Sequence, residues 1–284
     1  MGKEEFYLLI FPALLWSYDA SLGFRLGLIL LSSSLLNSLL KQSFGWPRPS
    51  WVSEEVRALS EETSFGLPSG HAQNAASVWG RLAAWLRRTW AFAAFGSLIF
   101  LISLSRLQLG VHFPSDVLAG LAIGGVLLWV FLKLEGPGRR WLNERSLYAR
   151  ILAAFLASIG LLSLNLVVSG ALRSRPTALA LPANASPYSP SPAVALSGAL
   201  FGLAAGGALL FAREDFQAGG PIWGRLARYV LGILGVILIF YGLRAAFPEG
   251  EDLLSQALRY LRYAAVGFWI TFLAPRVFIH LRLA

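Results

Sequence analysis

Two of the chain's three histidines stand in short polar clusters at the edges of long apolar stretches. The third cluster around them is cationic. Lys41-Gln-Ser-Phe-Gly-Trp-Pro-Arg48-Pro49 ends one stretch, with Gly45 and Pro47 breaking its helix. Leu67-Pro68-Ser69-Gly70-His71 opens the next: Ser69 suits an N-cap, and Gly70 lets an anion approach free backbone N–H groups at a helix start. Ser105-Arg106 ends a further stretch and leads through Gly110 and His112 to Pro114 and Asp116. His112 and Asp116 are four apart across a helix start, so the carboxylate can hold one imidazole nitrogen and leave the other free. Each cluster alone has an ordinary structural explanation, such as snorkelling cations or a helix cap. Together they suit a tetrahedral dianion, phosphate being the common one, bound by Lys41, Arg48 and Arg106. Two histidines, one oriented by a carboxylate, supply a nucleophile and a proton donor. No metal-ligand spacing and no Walker loop stands out. The chain has no cysteine, which excludes a thiolate site and a disulfide.

The elements that must position these residues are membrane spans. Hydrophobic residues make up 56% of the 284 and charged residues 14%, with a mean hydropathy of +0.61. A soluble domain carries roughly 25% charged residues. This composition excludes an ordinary cytosolic enzyme, a disordered chain and a secreted disulfide scaffold. It predicts an all-α, polytopic transmembrane helix bundle of about nine spans. The apolar stretches run approximately over 6–20, 23–41, 70–87, 90–107, 115–134, 148–170, 191–212, 226–246 and 261–281. The first is the weakest, being dense only from Phe6 to Trp16.

Nine spans divide the loops between two sides. Arg87, Arg88, Lys133, Arg139, Arg140, Arg145 and Arg150 all fall on the side opposite the three clusters. Basic loops stay in the cytoplasm, so the clusters face the periplasm or outside. The same rule accounts for the net charge of +9 without invoking nucleic acid.

Three regions follow. Residues 1–134 form a core that carries the clusters, 135–147 a basic cytoplasmic connector, and 148–284 four further spans of unassigned role. The Pro/Ser-rich loop LPANASPYSPSP, residues 181–192, reads as extended, polyproline-like backbone. Asn184-Ala185-Ser186 matches a glycosylation sequon, a low-information pattern. Gly198, Gly202 and Gly206 share one helix face and predict close helix packing.

Lys41-x6-Arg48-Pro49, then Pro68-Ser69-Gly70-His71, then Ser105-Arg106-x5-His112-x3-Asp116 resembles the complete three-part signature of the type-2 phosphatidic acid phosphatase superfamily. That superfamily also holds vanadium haloperoxidases and bacterial acid phosphatases. The resemblance covers about residues 6–134. It implies that His112 takes the phosphoryl group, Asp116 holds its imidazole and His71 protonates the leaving oxygen. Lys41, Arg48, Ser69, Gly70 and Arg106 would bind the phosphate. It implies a phosphohistidine cleaved by water, without metal or other cofactor. One departure stands out: membrane members usually have two spans before the one that ends in the lysine motif, and here there is one, and it is short.

The expected function is therefore an integral membrane phosphatase of a lipid phosphate or diphosphate, such as a polyprenyl diphosphate or phosphatidic acid. Its partners are that substrate and the bilayer, with no nucleic acid; a homo-oligomer has no support in the sequence. The expected location is a bacterial inner membrane. Two alternatives share the residues: a phosphotransferase with the same intermediate, and a non-catalytic lipid carrier or scramblase.

Overall fold

The computed structural model describes residues 4–173, 181–183, 185–213 and 216–284; Asn184 of the sequon lies outside them. Every regular element among them is helical. In chain order these are α1 (Glu4–Ser17), α2 (Ala20–Phe44), the single turn α3 (Pro49–Val52), α4 (Gly70–Leu86), α5 (Thr89–Gln108) and α6 (Pro114–Asn143). Then come α7 (Leu147–Arg173), α8 (Ser191–Arg213), α9 (Ile222–Ala246) and α10 (Leu253–Phe268). A π-helical turn, Trp269–Leu273, joins α10 to α11 (Ala274–His280).

All nine apolar stretches become helices. Among the described residues, seven helical segments are long and apolar enough to cross a bilayer. The other two, α1 with 14 residues and α4 with 17, measure about 21 and 26 Å at 1.5 Å per residue. A hydrocarbon core is about 30 Å thick. The basic segment after Lys133 is mostly helical, because α6 continues through Pro137 to Asn143.

The chain forms two compact units that are not consecutive in sequence. One runs from Ser32, within α2, to Gly136 and includes Ser163–Pro190. Its central helix is α4, unusually polar for this chain, with Gln73, Ser77 and Arg81 buried. α6 lies against α4 backbone to backbone: a Cβ on Gly120 would stand 2.5 Å from the Ser69 carbonyl oxygen, and one on Gly124 would meet the Gln73 carbonyl. Gln73 donates to the Ser33 carbonyl at 2.8 Å and accepts from Asn37 at 2.9 Å, which fixes α4 on α2. Buried polar groups need such partners, the more so in lipid. Arg81 is paired with Glu135 at 2.9 Å. α5 exposes Trp90, Phe92, Phe100 and Leu104, a surface suited to acyl chains.

The Pro/Ser-rich loop is not continuously extended. Ala185 N–H donates to the Pro182 carbonyl and Ser189 N–H to that of Ser186, giving two turns. The same stretch is held by tertiary contacts: Tyr188 packs edge-on against Phe65 at 5.3 Å, and Ser186 N–H reaches the Thr63 carbonyl at 2.9 Å.

The other unit holds α1, α2 to Leu31, Pro137–Leu162 and Ser191–Ala284. Its core centres on Trp16, whose Nε1–H donates to the Ile270 carbonyl at 2.8 Å and whose ring meets Phe278 edge-on. α8 and α10 pack closely, as the glycine face predicts. A Cβ on Gly198 or Gly202 would meet the backbone of Tyr260 or Ala264, and one on Gly206 the Thr271 side chain. Arg228, fully buried, donates to the carbonyls of Gln217, Ala218, Gly219 and Leu283.

Candidate active site

All eight residues singled out in the sequence belong to the first unit. α2 ends at Phe44 because Gly45 takes φ +63, a left-handed stop that lets its N–H bond the Lys41 carbonyl at 2.9 Å. Lys41 sits on the last turn and donates from Nζ to the Ser64 hydroxyl at 2.8 Å.

Arg48 is 1% exposed and is the most heavily bonded side chain of the site. Its Nε–H donates to the Ser64 carbonyl at 2.6 Å and its Nη1 to the Val111 carbonyl at 2.9 Å. Nη2 donates to the Phe65 carbonyl at 3.2 Å, to the Ser64 hydroxyl at 3.3 Å and to Glu62 Oε2 at 3.2 Å. Nη1 also lies 3.3 Å from His112 Nε2. The guanidinium thus ties the first cluster to the third.

α6 opens at Pro114, and its first turn carries Asp116, which is fully buried. Asp116 Oδ2 accepts from His112 Nδ1 at 3.2 Å and from the Phe113 N–H at 3.0 Å. That is the arrangement the four-residue spacing predicts. With the proton on Nδ1, the lone pair is on Nε2, toward Arg48. Burial pushes the His112 pKa down to about 4; the bond to Asp116 opposes the shift, while Arg48 and Lys41 add to it. The imidazole is neutral over the physiological range.

Ser69 is the N-cap residue of α4, yet its hydroxyl makes no capping bond. The buried Oγ has no hydrogen-bond partner among the described residues. Its backbone N–H donates to the Asp116 carbonyl at 2.9 Å, joining the second cluster to the third. Asn37 Nδ2 donates to the Pro68 carbonyl at 3.2 Å, anchoring the same turn to α2. Gly70 makes room for that anchor, since a Cβ there would stand 2.8 Å from Asn37 Oδ1. His71 follows on the first turn of α4, half-buried. Arg106, on the last turn of α5, donates to the Ser105 hydroxyl at 3.1 Å.

Three residues of the site carry no motif that sequence reasoning could use. Ser64 accepts from both Lys41 and Arg48 through one hydroxyl. Glu62 adds a carboxylate among the cations. Burial pushes its pKa up, but Arg48, Lys41, His71 and His112 outweigh burial and hold it below the ordinary carboxylate value. Arg106 is also within its electrostatic reach. Gly66 permits a close approach: a Cβ there would stand 2.9 Å from Asp116 Oδ2 and 3.0 Å from the Pro47 carbonyl oxygen. Among the described residues, no three His, Cys, Asp or Glu side chains gather as metal ligands.

An integral membrane helical protein with a buried Asp–His pair, walled by arginine and lysine at helix ends, is the class that fold and site define. Residues 22–139 match the PAP2 superfamily, and residues 194–284 match the PAP2 superfamily phosphatase, transmembrane extension. The chain belongs to the PAP2 superfamily. It is similar to phosphatidylglycerophosphatase B of Bacillus subtilis (strain 168), 32% identical over 117 residues that cover 38% of this chain and 55% of that protein. It is also similar to sphingosine-1-phosphate phosphatase 1 of Rattus norvegicus, 27% identical over 140 residues that cover 47% and 33%. A third relative is lipid A 4'-phosphatase of Bacteroides thetaiotaomicron, 32% identical over 109 residues that cover 36% and 48%. The chain thus spans between a third and about half of these relatives. No solved structure gives a significant match.

Proposed function

We propose that the protein is an integral membrane phosphatase that removes phosphate from a lipid phosphate or diphosphate through a phosphohistidine. The observation that carries this reading is the His112 imidazole: Asp116 holds Nδ1, and a lone pair is presented at Nε2 against a guanidinium. The phosphorus accepts that lone pair as the bond to the lipid oxygen breaks. His71 gives the leaving oxygen its proton. Water then attacks the phosphohistidine and gives its proton back to His71, releasing orthophosphate and restoring the neutral His112 ring. Lys41, Arg48 and Arg106 offset the charge on the equatorial oxygens, with the unpartnered Ser69 hydroxyl and the Gly70 N–H as further donors. No step requires a metal or other cofactor.

The apolar helices let a lipid keep its tails in the bilayer while its headgroup enters at the helix ends. The names of these three relatives all specify a phosphorylated lipid as substrate, which supports that class here. The basic bias of the opposite loops supports a site on the periplasmic or outer face. Residues 1–134 are read as the catalytic core, 135–147 as a cytoplasmic connector and 148–284 as an accessory region. The decisive experiment is orthophosphate release by the purified chain from phosphatidic acid, phosphatidylglycerol phosphate, a polyprenyl diphosphate and sphingosine 1-phosphate. Release from at least one, abolished in His112→Ala, is the expected outcome. Transfer to an added acceptor with no release into water would favour the phosphotransferase reading.

A further inference from the structure

Arg48 has five N–H groups and no acceptor capacity. Three of its bonds go to backbone carbonyls, those of Ser64, Val111 and Phe65. Those carbonyls belong to the loops that shape the site, and releasing any of them would leave a buried acceptor unpaired. What remains for a phosphoryl oxygen is the Nη1–H now on His112 Nε2 and the Nη2–H now shared by Glu62 and the Ser64 hydroxyl. A phosphoryl group on Nε2 therefore meets Arg48 on the edge where Glu62 already sits.

Glu62 is placed for that exchange. Its side chain is 21% exposed, against 1% for Arg48, so it can leave toward solvent while Arg48 stays. It lies in irregular backbone between α3 and α4, with no helix or sheet bond to break. Lys41, His71 and His112 all act on it electrostatically, which puts it amid the candidate phosphate-binding groups. Two anions on one guanidinium edge repel each other strongly at partial burial.

We propose that Glu62 is a built-in competitor of the substrate: its carboxylate occupies the phosphoryl position on Arg48 in the empty site and is displaced when the phosphate group binds. This rests on the phosphatase reading above. Its consequence is weaker retention of orthophosphate, so the product leaves rather than occupying the cation cluster. The carboxylate also keeps Arg48 charge-balanced between turnovers.

The test is calorimetric titration of orthophosphate into the purified full-length chain, paired with KM and kcat for whichever lipid phosphate is hydrolysed. Glu62→Gln keeps the shape and removes the charge. Orthophosphate should bind it about tenfold more tightly than wild type, with KM falling by a similar factor. A residue that merely supported Arg48 would do the opposite, loosening orthophosphate and raising KM. Glu62→Asp withdraws the carboxylate by one methylene and should tighten orthophosphate by a smaller factor; it decides the matter if the Gln variant fails to fold. Unchanged or weaker orthophosphate binding in a folded variant, with wild type binding it, overturns this proposal alone. A wild-type chain that neither binds orthophosphate nor releases it from any lipid overturns the phosphatase reading, and this proposal with it.

Discussion

Arg48 Nη1 lies 3.3 Å from His112 Nε2, so the guanidinium that joins two separate clusters also covers the ring nitrogen that Asp116 leaves free. A lone pair engaged by an arginine N–H is neutral and pre-aimed, and the same N–H can pass to a phosphoryl oxygen as the nitrogen bonds phosphorus. The predictions below follow from that geometry.

The two histidines should fail differently. His112→Ala removes the proposed bond-forming atom, so no leaving group should rescue it. His71→Ala removes only the proton donor, with a loss of about 10²–10⁴-fold on an alkyl phosphate. An aryl ester such as p-nitrophenyl phosphate, whose leaving group needs little protonation, should restore much of kcat in His71→Ala alone. Equal losses on both esters, or rescue of His112→Ala, would reverse the assignment.

The acid limb should lie low. His112 has its pKa near 4, so the nucleophile remains unprotonated well below the ordinary histidine value. Corrected for the substrate's own ionisation, kcat/KM should hold until about pH 5 and fall toward pH 4. The sign for stability agrees: the unfolded chain takes up a proton near pH 6.5 that the folded site refuses, so stability declines as pH falls from about 6.5 to 4. A midpoint at 6.5 in the activity profile would contradict a buried neutral imidazole.

Gly66→Ala should damage activity without unfolding the chain. The new Cβ would stand 2.9 Å from Asp116 Oδ2, the oxygen that holds His112, and 3.0 Å from the Pro47 carbonyl oxygen. Displacing that carboxylate tilts the imidazole, and kcat should fall by about tenfold or more. Melting temperature and kcat measured together check this; an unchanged kcat would show that the Asp116 position is not critical.

Activity should survive exhaustive dialysis against EDTA, and orthovanadate should inhibit because it adopts the trigonal-bipyramidal shape of phosphoryl transfer. Loss of activity that only Mg²⁺ or Zn²⁺ restores would refute the proposed mechanism.

The site should face away from the cytoplasm. The chain lacks cysteine, so Ser53→Cys, in the segment between α3 and α4, gives a single reporter. It should react with an impermeant thiol reagent in intact cells; labelling only after lysis would invert the topology.

What the sequence by itself determined was local. The nine apolar runs all became helical, because a backbone in hydrocarbon must satisfy its own hydrogen bonds. Gly45 ended α2, Pro114 opened α6, and the four-residue step placed Asp116 against His112, all within one or two turns of chain. The Gly198, Gly202 and Gly206 face announced helix contact for the same reason: periodicity on one helix is visible in its residues. Tertiary structure alone decided the rest. Arg48 reaches across 63 residues to Val111 and 64 to His112, and Asn37 across 31 to Pro68. Such bonds depend on where loops return, and no spacing records that. Glu62 and Ser64 read as ordinary polar loop residues until the loop folds back onto Lys41 and Arg48. The 181–192 loop, extended by composition, turns twice, and its Tyr188 meets Phe65, a contact between segments more than a hundred residues apart that no composition records.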